Sequence, residues 1–288
     1  MNMIMNNFAV FILTYGRADK VFTYHNLRRG GYTGKIYLLC STDDKQLPEY
    51  QNTYKDEVVV FSKDDYKNKF DIGDNFDKNN VVVFARNANF DIAKKMGLDY
   101  FLQLDDDYEI FEYKYPSKDK LIGRRIYCLD KIFASFVNFL DKTNTTSIAF
   151  AQGGDFMGGK DSDFFSSINR KRKLMNCFFN STKRPYQFYG RINEDVNCYI
   201  ANGRTGTLFL THPNISITQC ATQSNSGGLT EFYLDGGTYV KSFYTLLFNP
   251  SAVSIRTMGK VGKRLHHSIK WINAVPVIIK EKYKKTEA

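Results

Sequence analysis

Short apolar runs alternate with polar turns and helical stretches along the first half of the chain. Runs of four to six apolar residues bounded by turn residues predict buried strands. Stretches whose apolar residues recur at helical spacing predict helices between them. This alternation predicts an α/β fold with a mostly parallel, twisted, Rossmann-like sheet flanked by helices. The predicted strands are 8–13, 35–40, 57–61, 81–84 and 100–104, and the predicted helices are 18–29 and 85–95.

The second half predicts a mixed C-terminal part. A helix over 130–141 is followed by a strand over 148–151 and a β-rich region over 207–219. The chain of 288 residues has only 6 prolines and no Pro- or Ser-rich linker. We therefore expect one domain over 1–260, divided into halves 1–110 and 111–260, and a basic C-terminal extension over 261–288.

Three adjacent aspartates, Asp105, Asp106 and Asp107, directly follow a predicted buried strand. Neighbouring carboxylates repel each other, so a fold that holds them together favours a divalent cation. Mg²⁺ and Mn²⁺ prefer such oxygen ligands, usually one or two carboxylates together with substrate phosphates. Strand geometry turns Asp105 and Asp107 one way and Asp106 the other. The alternative is a solvated acidic turn.

Other polar residues also follow predicted strands, and ligands of such sheets bind beyond the carboxyl ends of the strands. A Gly turn before a helix can hold phosphate or a base edge, and an aromatic ring there can stack on a base. Arginine suits a diphosphate, and asparagine suits a sugar hydroxyl. Steric turn formation and helix capping are the alternatives. The predicted donor-binding residues are Thr14, Tyr15, Arg17, Arg86, Asn87, Asp105, Asp106, Gly153 and Gly154.

Two further motifs lie in the second half. The acidic pair Glu194 and Asp195 can supply a base that removes a proton from an attacking hydroxyl, with Asp195 the stronger candidate. Capping of a helix start is the alternative. One imidazole of His266 and His267 can complete a metal shell or touch a diphosphate. Paired histidines in a basic tail are equally typical of a surface.

The net charge of +10 favours a polyanionic partner, although a solvated basic surface gives the same number. The 5 cysteines are scattered without a CxxC pair, which fits a reducing compartment. No signal peptide or membrane-spanning run is recognisable, so no membrane association is expected. The predicted DNA-binding residues are Arg124, Arg125, Arg170, Lys171, Arg172 and Lys173.

The strand-end TYGR, the ARN helix, the DDD run and the later NED together resemble the GT-A glycosyltransferase plan. The segments GRINEDVNCY, QSNSGGLTEFYLDGGTYVKSFYTLLFNPS and RLHHSIKWINAVPVI are similar to the TET-associated glycosyltransferase family of tailed phages. The resemblance implies a UDP-sugar donor bound by residues 1–110 and an acceptor bound by 111–260. It also implies Mn²⁺ or Mg²⁺ as cofactor. The residues it matches are Asp105, Asp107 and His267 for the metal, and Glu194 and Asp195 for the acidic pair.

The acceptor that the resemblance implies is the hydroxymethyl group of a modified pyrimidine in DNA, such as 5-hydroxymethylcytosine. The implied setting is a phage-encoded protein in the host cytoplasm, and no protein partner is predicted. The alternatives are a GT-A enzyme acting on a glycan or protein, and a non-catalytic DNA-binding protein on a degenerate glycosyltransferase fold. Loops 63–80 and 153–168 are candidate lids. Transfer with inversion is expected, and retention stays open.

Overall fold

The computed structural model describes residues 7–77, 79–156, 159–162, 177–220, 237, 239–259, 263–274, 278 and 281. The predicted DNA-binding residues Arg170, Lys171, Arg172 and Lys173 lie outside them. The strands are β1 Phe8–Leu13, β2 Lys35–Ser41, β3 Val58–Phe61, β4 Tyr100–Asp105, β5 Tyr108–Ser117, β6 Lys120–Arg125, β7 Ser147–Gln152, β8 Phe178–Ser181, β9 Phe209–Gln219, β10 Val253–Met258 and β11 Arg264–Ile269. The α-helices are α1 Phe22–Arg29, α2 Leu47–Tyr54, α3 Val83–Lys95, α4 Leu129–Lys142, α5 Glu194–Gly203 and α6 Val240–Phe248.

Nine of the described strands form one sheet, in the order β3-β2-β1-β4-β8-β7-β9-β5-β6. The first four are parallel, as a Rossmann-like half requires. β8 runs antiparallel to β4 and β7, β9 runs parallel to β7, and β5 runs antiparallel to β9 and β6. The α/β class, with helices flanking a sheet and a mixed C-terminal part, is confirmed.

The register brings the strand ends to one edge. Leu13 at the end of β1 pairs with Leu39 of β2 and with Asp105 of β4. The residues that follow these strands therefore meet at the carboxyl edge of the parallel half, where ligands of such sheets bind.

Alternation of side chains divides the core between the two faces of the sheet. On β1, Val10 and Ile12 join one apolar cluster, which α1, α2 and α4 cover. Phe11 joins a second cluster, which α3 and α5 cover. On β4, Leu104 belongs to the first cluster and Phe101 to the second. Asp105 continues the row of Phe101, so it faces the side of α3 and α5.

Two predicted elements are wrong in type or extent. The run 81–84 is not a strand: α3 begins at Val83, and the N–H of Arg86 donates to Val82 O at 3.0 Å. Its apolar side chains pack as a helix against the second face of the sheet, which overrides their preference for strands. The helix predicted over 18–29 begins only at Phe22, because Lys20 N closes a turn onto Arg17 O.

A separate two-stranded sheet lies late in the chain. β10 and β11 pair antiparallel, and Val253 and Ala274 join the second apolar cluster. β10 lies before residue 260 and β11 lies after it, whereas the sequence predicts that the domain ends at 260 and a basic extension begins at 261. The domain limits stay a prediction. No described helix combines the length and apolarity that a bilayer span requires.

Candidate active site

Each of the three adjacent aspartates is held by a different part of the chain. Asp105 accepts two hydrogen bonds from Arg86 Nη2, at 2.9 and 3.2 Å. Asp106 accepts from Thr14 Oγ1 at 2.8 Å and from Arg17 Nη1 at 2.9 Å. Asp107 lies in the turn that leads into β5. The run therefore ties α3 to the loop after β1.

Arg86 joins the aspartate run to the acidic pair. Its Nε donates to Glu194 Oε1 at 2.7 Å, while its Nη2 binds Asp105. The side chain is 1% exposed, and its guanidinium lies 5.4 Å from the ring centroid of Phe178. The sequence led us to expect Arg86 to face the diphosphate of a donor. Because two buried carboxylates hold it, Arg86 instead connects β4 to the start of α5.

The aspartates share a shift in pKa with one main cause. Burial raises the pKa of Asp105 to about 8, although Arg86 opposes this, and the charge of Asp107 adds to it. Burial raises the pKa of Asp106 to about 6 against the opposing effect of Arg17. Burial also raises the pKa of Asp107. Raised carboxyl pKa values mean that the site lacks positive charge, which a bound cation would supply.

The residues present fit a divalent cation. Asp107 Oδ2 accepts from Gln219 Nε2 at 3.0 Å, but its Oδ1 is buried and has no hydrogen-bond partner among the described residues. Within the part of the chain that is described, no three His, Cys, Asp or Glu side chains enclose a metal by themselves. An open site of one or two carboxylates suits Mg²⁺ or Mn²⁺, whose other ligands are phosphate and water.

The acidic pair opens α5, and both carboxylates are buried. Burial raises the pKa of Glu194, whose partner Arg86 opposes the shift. Asp195 forms no ion pair with any described residue, and its Oδ1 accepts from Val196 N at 2.8 Å. Of the two, Glu194 is committed to Arg86, whereas Asp195 is the carboxylate without a cationic partner.

The residue before the pair anchors this helix start. Asn193 adopts a left-handed conformation with φ +55°, and its amide donates to Lys241 O at 2.7 Å and to Thr245 Oγ1 at 2.9 Å. His267 Nδ1 lies 3.5 Å from the same amide nitrogen. His267 therefore lies beside the start of α5. The metal set of Asp105, Asp107 and His267 stays a prediction.

The predicted donor residues after β1 form a connected network. Thr14 Oγ1 lies 2.6 Å from Tyr50 OH, which also accepts from Arg17 N at 2.8 Å. The Tyr15 ring lies 4.2 Å from Lys63 Nζ, and Lys63 also binds Asp43 at 2.9 Å. Thr14, Tyr15 and Arg17 thus lie together at the edge that also carries Asp106.

Four residues of this edge were missing from the predicted site. Asp43 and Asp44 follow β2, and Asp44 Oδ2 accepts from Gly16 N at 2.8 Å. Tyr50 and Lys63 complete the network through Thr14 and Asp43. The position of Asp43 and Asp44 at a strand end was the available signal. Nothing in the sequence distinguishes Tyr50 or Lys63 from other helix and loop residues.

Other predicted residues lie apart from this cluster or have different partners. Both ends of the Asn87 amide bind the backbone of Phe188, at 2.9 and 3.1 Å, so this side chain fixes a loop and is not open to a sugar. Gly153 begins a short 3₁₀ helix, Gly153–Phe156, which includes Gly154 and follows β7. Arg124 and Arg125 lie on β6, the edge strand of the sheet.

The candidate lid over 63–80 is fastened near its middle. Arg191 is fully buried, and its Nε donates to Asp74 at 2.8 Å. Arg191 Nη2 also donates to Phe76 O at 2.8 Å, and Tyr244 OH donates to Asp74. A lid movement of this loop would have to separate a buried ion pair, which is costly. Most of the second candidate lid, 153–168, lies outside the described residues.

Sequence comparison identifies the family. The model of the TET-associated glycosyltransferases matches residues 8–228, which include the aspartate run and the acidic pair. The chain belongs to this family. The family is one of glycosyltransferases, and the clustered carboxylates described above lie inside the matched region. No curated protein sequence matches the chain significantly.

Several solved structures resemble the fold at low identity. Mannosyltransferase PcManGT from Pyrobaculum calidifontis, in complex with GDP-Man and Mn²⁺, is 9% identical with a TM-score of 0.43, over 76% of this chain and 58% of that one. S. aureus TarS 1-349 in complex with UDP is 12% identical with a TM-score of 0.45, over 83% and 65%. Glucosyl-3-phosphoglycerate synthase from Mycobacterium tuberculosis, with Mn²⁺, UDP and phosphoglyceric acid, is 9% identical with a TM-score of 0.46, over 91% and 87%. The chain thus spans less than two thirds of the first two.

Replacing Arg86 tests how much its two ion pairs contribute to the stability of the fold. Arg86→Ala leaves Asp105 and Glu194 buried without their cation, so we expect the free energy of unfolding in urea to fall by about 3–5 kcal/mol. Adding Glu194→Gln removes one of the stranded charges and should recover part of that loss. Lys67→Ala, which breaks an exposed ion pair with Asp64, is the control and should leave the free energy of unfolding nearly unchanged. Equal losses for Arg86→Ala and Lys67→Ala would contradict the assignment.

Proposed function

We propose that the chain transfers a sugar from a UDP-sugar to the hydroxymethyl group of a modified pyrimidine, such as 5-hydroxymethylcytosine, in DNA. The observation that carries the proposal is the buried bridge Asp105–Arg86–Glu194, which sets an aspartate run beside a second carboxylate, Asp195. The family supports sugar transfer, and the net charge of +10 favours a polyanionic acceptor. The proposed setting is the host cytoplasm, and all five cysteines being free agrees with a reducing compartment.

The donor would bind at the carboxyl edge of β1, β2 and β4. Asp105 and Asp107 are the residues that would hold Mn²⁺ or Mg²⁺, and Asp107 Oδ1 is the oxygen with no described partner. A cation bound there supplies Lewis-acid stabilisation to the departing diphosphate. Thr14, Tyr15 and Arg17 would line the nucleotide. The Arg17 guanidinium forms an ion pair with Asp106, so this arginine would position the acidic run.

In the acceptor step, Asp195 acts as the general base. Its carboxylate takes the proton of the hydroxymethyl O–H while that oxygen attacks the anomeric carbon. The new bond joins the oxygen to the anomeric carbon, and the bond from that carbon to the β-phosphate oxygen breaks. Its electron pair leaves with UDP. A single displacement inverts the anomeric centre, and the configuration of the product distinguishes this route from retention.

The acceptor assignment has a geometric requirement. A substituent at C5 of a pyrimidine projects into the major groove of duplex DNA. For the sugar to be transferred inside the protein's active site, the modified base must leave the stack, which costs a few kcal/mol. Dense positive charge on the protein offsets the repulsion between DNA and the carboxylates of the site.

One assay tests the proposal. The protein is incubated with Mn²⁺, a panel of UDP-sugars, and duplex DNA with cytosine or 5-hydroxymethylcytosine, and the nucleosides are then weighed by mass spectrometry. A hexose or pentose mass added only to the modified nucleoside is expected. Transfer only to glycan or protein acceptors would favour the first alternative. DNA binding without any donor binding would favour the non-catalytic one.

Asp195 and Glu194 should respond differently to loss of charge. Asp195→Asn removes the proposed base without breaking an ion pair, so the transfer rate should fall about 10²–10⁴-fold. Its UDP affinity and urea stability should stay near those of the parent. Glu194→Gln should lower stability as well, because Arg86 loses one carboxylate partner. If Asp195→Asn retains full activity and Glu194→Gln does not, the base has been assigned to the wrong residue.

Metal affinity should depend on pH because of Asp105. Its pKa of about 8 means that a proton competes with the cation below that pH. An ordinary Asp ionises near 3.9, so the metal-free fold should lose stability as pH rises from about 4 to 8. We expect Mn²⁺ affinity, measured by calorimetry, to weaken up to about tenfold per pH unit below 8. Asp105→Asn should bind weakly with little pH dependence, and a flat profile for the parent protein would contradict this origin.

A further inference from the structure

The hairpin that leaves the aspartate run ends in a two-stranded ribbon. β5 begins at Tyr108, directly after Asp107. β9 pairs with β5 only as far as Tyr113. Residues 114–123, here called the ribbon tip, form strand pairs only with each other among the described residues, from the Lys114–Gly123 pair to the Ser117–Lys120 pair. The short 3₁₀ helix Gly159–Asp161 contacts β6.

The two faces of the ribbon differ. On one face, Glu112 and Lys114 form an ion pair at 2.6 Å across Gly123, and Lys114 Nζ lies 5.6 Å from the ring of Phe156. Part of that face therefore lies near Phe156. The opposite face carries Tyr113 and Ile122, each 36% exposed. Its cross-strand pairs are Tyr113 with Arg124, Tyr115 with Ile122, and Ser117 with Lys120.

Unpaired positive charge is concentrated on this hairpin. Residues 113–125 contain five basic residues and one acidic residue, Asp119. Lys114 is neutralised by Glu112, but the other four basic side chains form no ion pair with a described residue. Most of them are exposed. These four are Lys118, Lys120, Arg124 and Arg125.

We propose that the ribbon tip lies in the major groove of the duplex acceptor, with its open face and the cations Lys118, Lys120 and Arg124 on the DNA. This inference rests on the proposed function. A major groove about 12 Å wide admits a two-stranded β-ribbon. The reacting base leaves the stack from the same stretch of duplex, so the ribbon would contact the major groove that flanks the flipped base. The deep, narrow major groove of duplex RNA would exclude the ribbon.

The length of β5 fixes a spacing. The open-face cations run along β6 from Arg124, which pairs with Tyr113, to Lys120, which pairs with Ser117. Tyr113 and Ser117 lie six and ten positions after Asp107, which at about 3.3 Å per residue is a reach of about 20–33 Å. At about 3.4 Å per base pair, these cations would meet phosphates about six to ten base pairs from the modified base. The ordinary role of lysine and arginine on an edge strand is to prevent sheet-to-sheet association. That role predicts that these residues do not affect DNA binding and that transfer does not depend on the length of the flanking duplex.

The test removes three charges from the ribbon and three from elsewhere. The ribbon variant carries Lys118→Asn, Lys120→Gln and Arg124→Gln; asparagine tolerates the left-handed backbone at position 118, where φ is +51°. The control variant carries Lys35→Gln, Lys94→Gln and Lys95→Gln, all exposed. These control positions lie at the start of β2 and the end of α3, on the edge opposite the aspartates.

The first readout is the salt dependence of duplex binding, measured by fluorescence anisotropy. The slope of log Kobs against log salt concentration should become shallower by about 0.9 for each phosphate that the ribbon variant no longer neutralises. The control variant should keep the parent slope. Donor hydrolysis by water in the absence of DNA should be unchanged in both. An unchanged slope in the ribbon variant, or an equal change in the control, overturns the proposal.

The second readout is flank length. Transfer by the parent protein should fall as the duplex on one side of the modified base is shortened below about six to ten base pairs, and the ribbon variant should lose this dependence. Equal weakening of single-stranded and duplex DNA binding in the ribbon variant would overturn groove docking. A parent protein that hydrolyses donor but neither binds nor modifies DNA would overturn the proposed acceptor itself. A parent that modifies DNA while the ribbon variant is unaffected overturns only the ribbon.

Discussion

The buried guanidinium of Arg86 is the interaction on which the candidate site depends. It receives a carboxylate from the end of β4 and another from the start of α5, two elements separated by 89 positions between Asp105 and Glu194. A buried cation is tolerated only where opposite charges pair with it. Moving either carboxylate away would leave Arg86 without one of its partners, so both carboxylates are held in place. The end of β4 and the start of α5 are thereby fixed relative to each other.

Much of the first half of the fold could be predicted from the sequence, because burial there follows simple periodicity. The apolar runs that became β1, β2 and β4 lie in the interior of the sheet and are nearly continuous in hydrophobicity, whereas β3 is an edge strand in which only Phe61 is buried. The strand prediction for 81–84 was wrong because a short apolar run does not distinguish a strand from the first turn of a buried helix. Only its packing against the sheet decides.

The site was predictable as a set of positions but not as a set of contacts. The aspartate run was identified by its charge and by its place after an apolar run, and the acidic pair by its charge and by the family resemblance. That Arg86 joins them depends on the way α3 and α5 meet on one face of the sheet, which no local pattern encodes. Asn87 illustrates the limit, because the sequence cannot tell an amide that meets a ligand from one that binds the backbone of Phe188.

The turn after β4 links the chemistry to the ribbon. Asp107 has one carboxylate oxygen held by Gln219 of β9, and its backbone carbonyl accepts from Cys220 N at 3.0 Å. β5 then leaves this turn and pairs with the same strand β9. The ribbon is therefore connected to Asp107 through the β5–β9 pairing, whose register shifts once, between Tyr108 and Ile110. Binding a polyanion along β5 and binding a cation at Asp107 would both relieve unbalanced charge, of opposite sign, at the two ends of one strand.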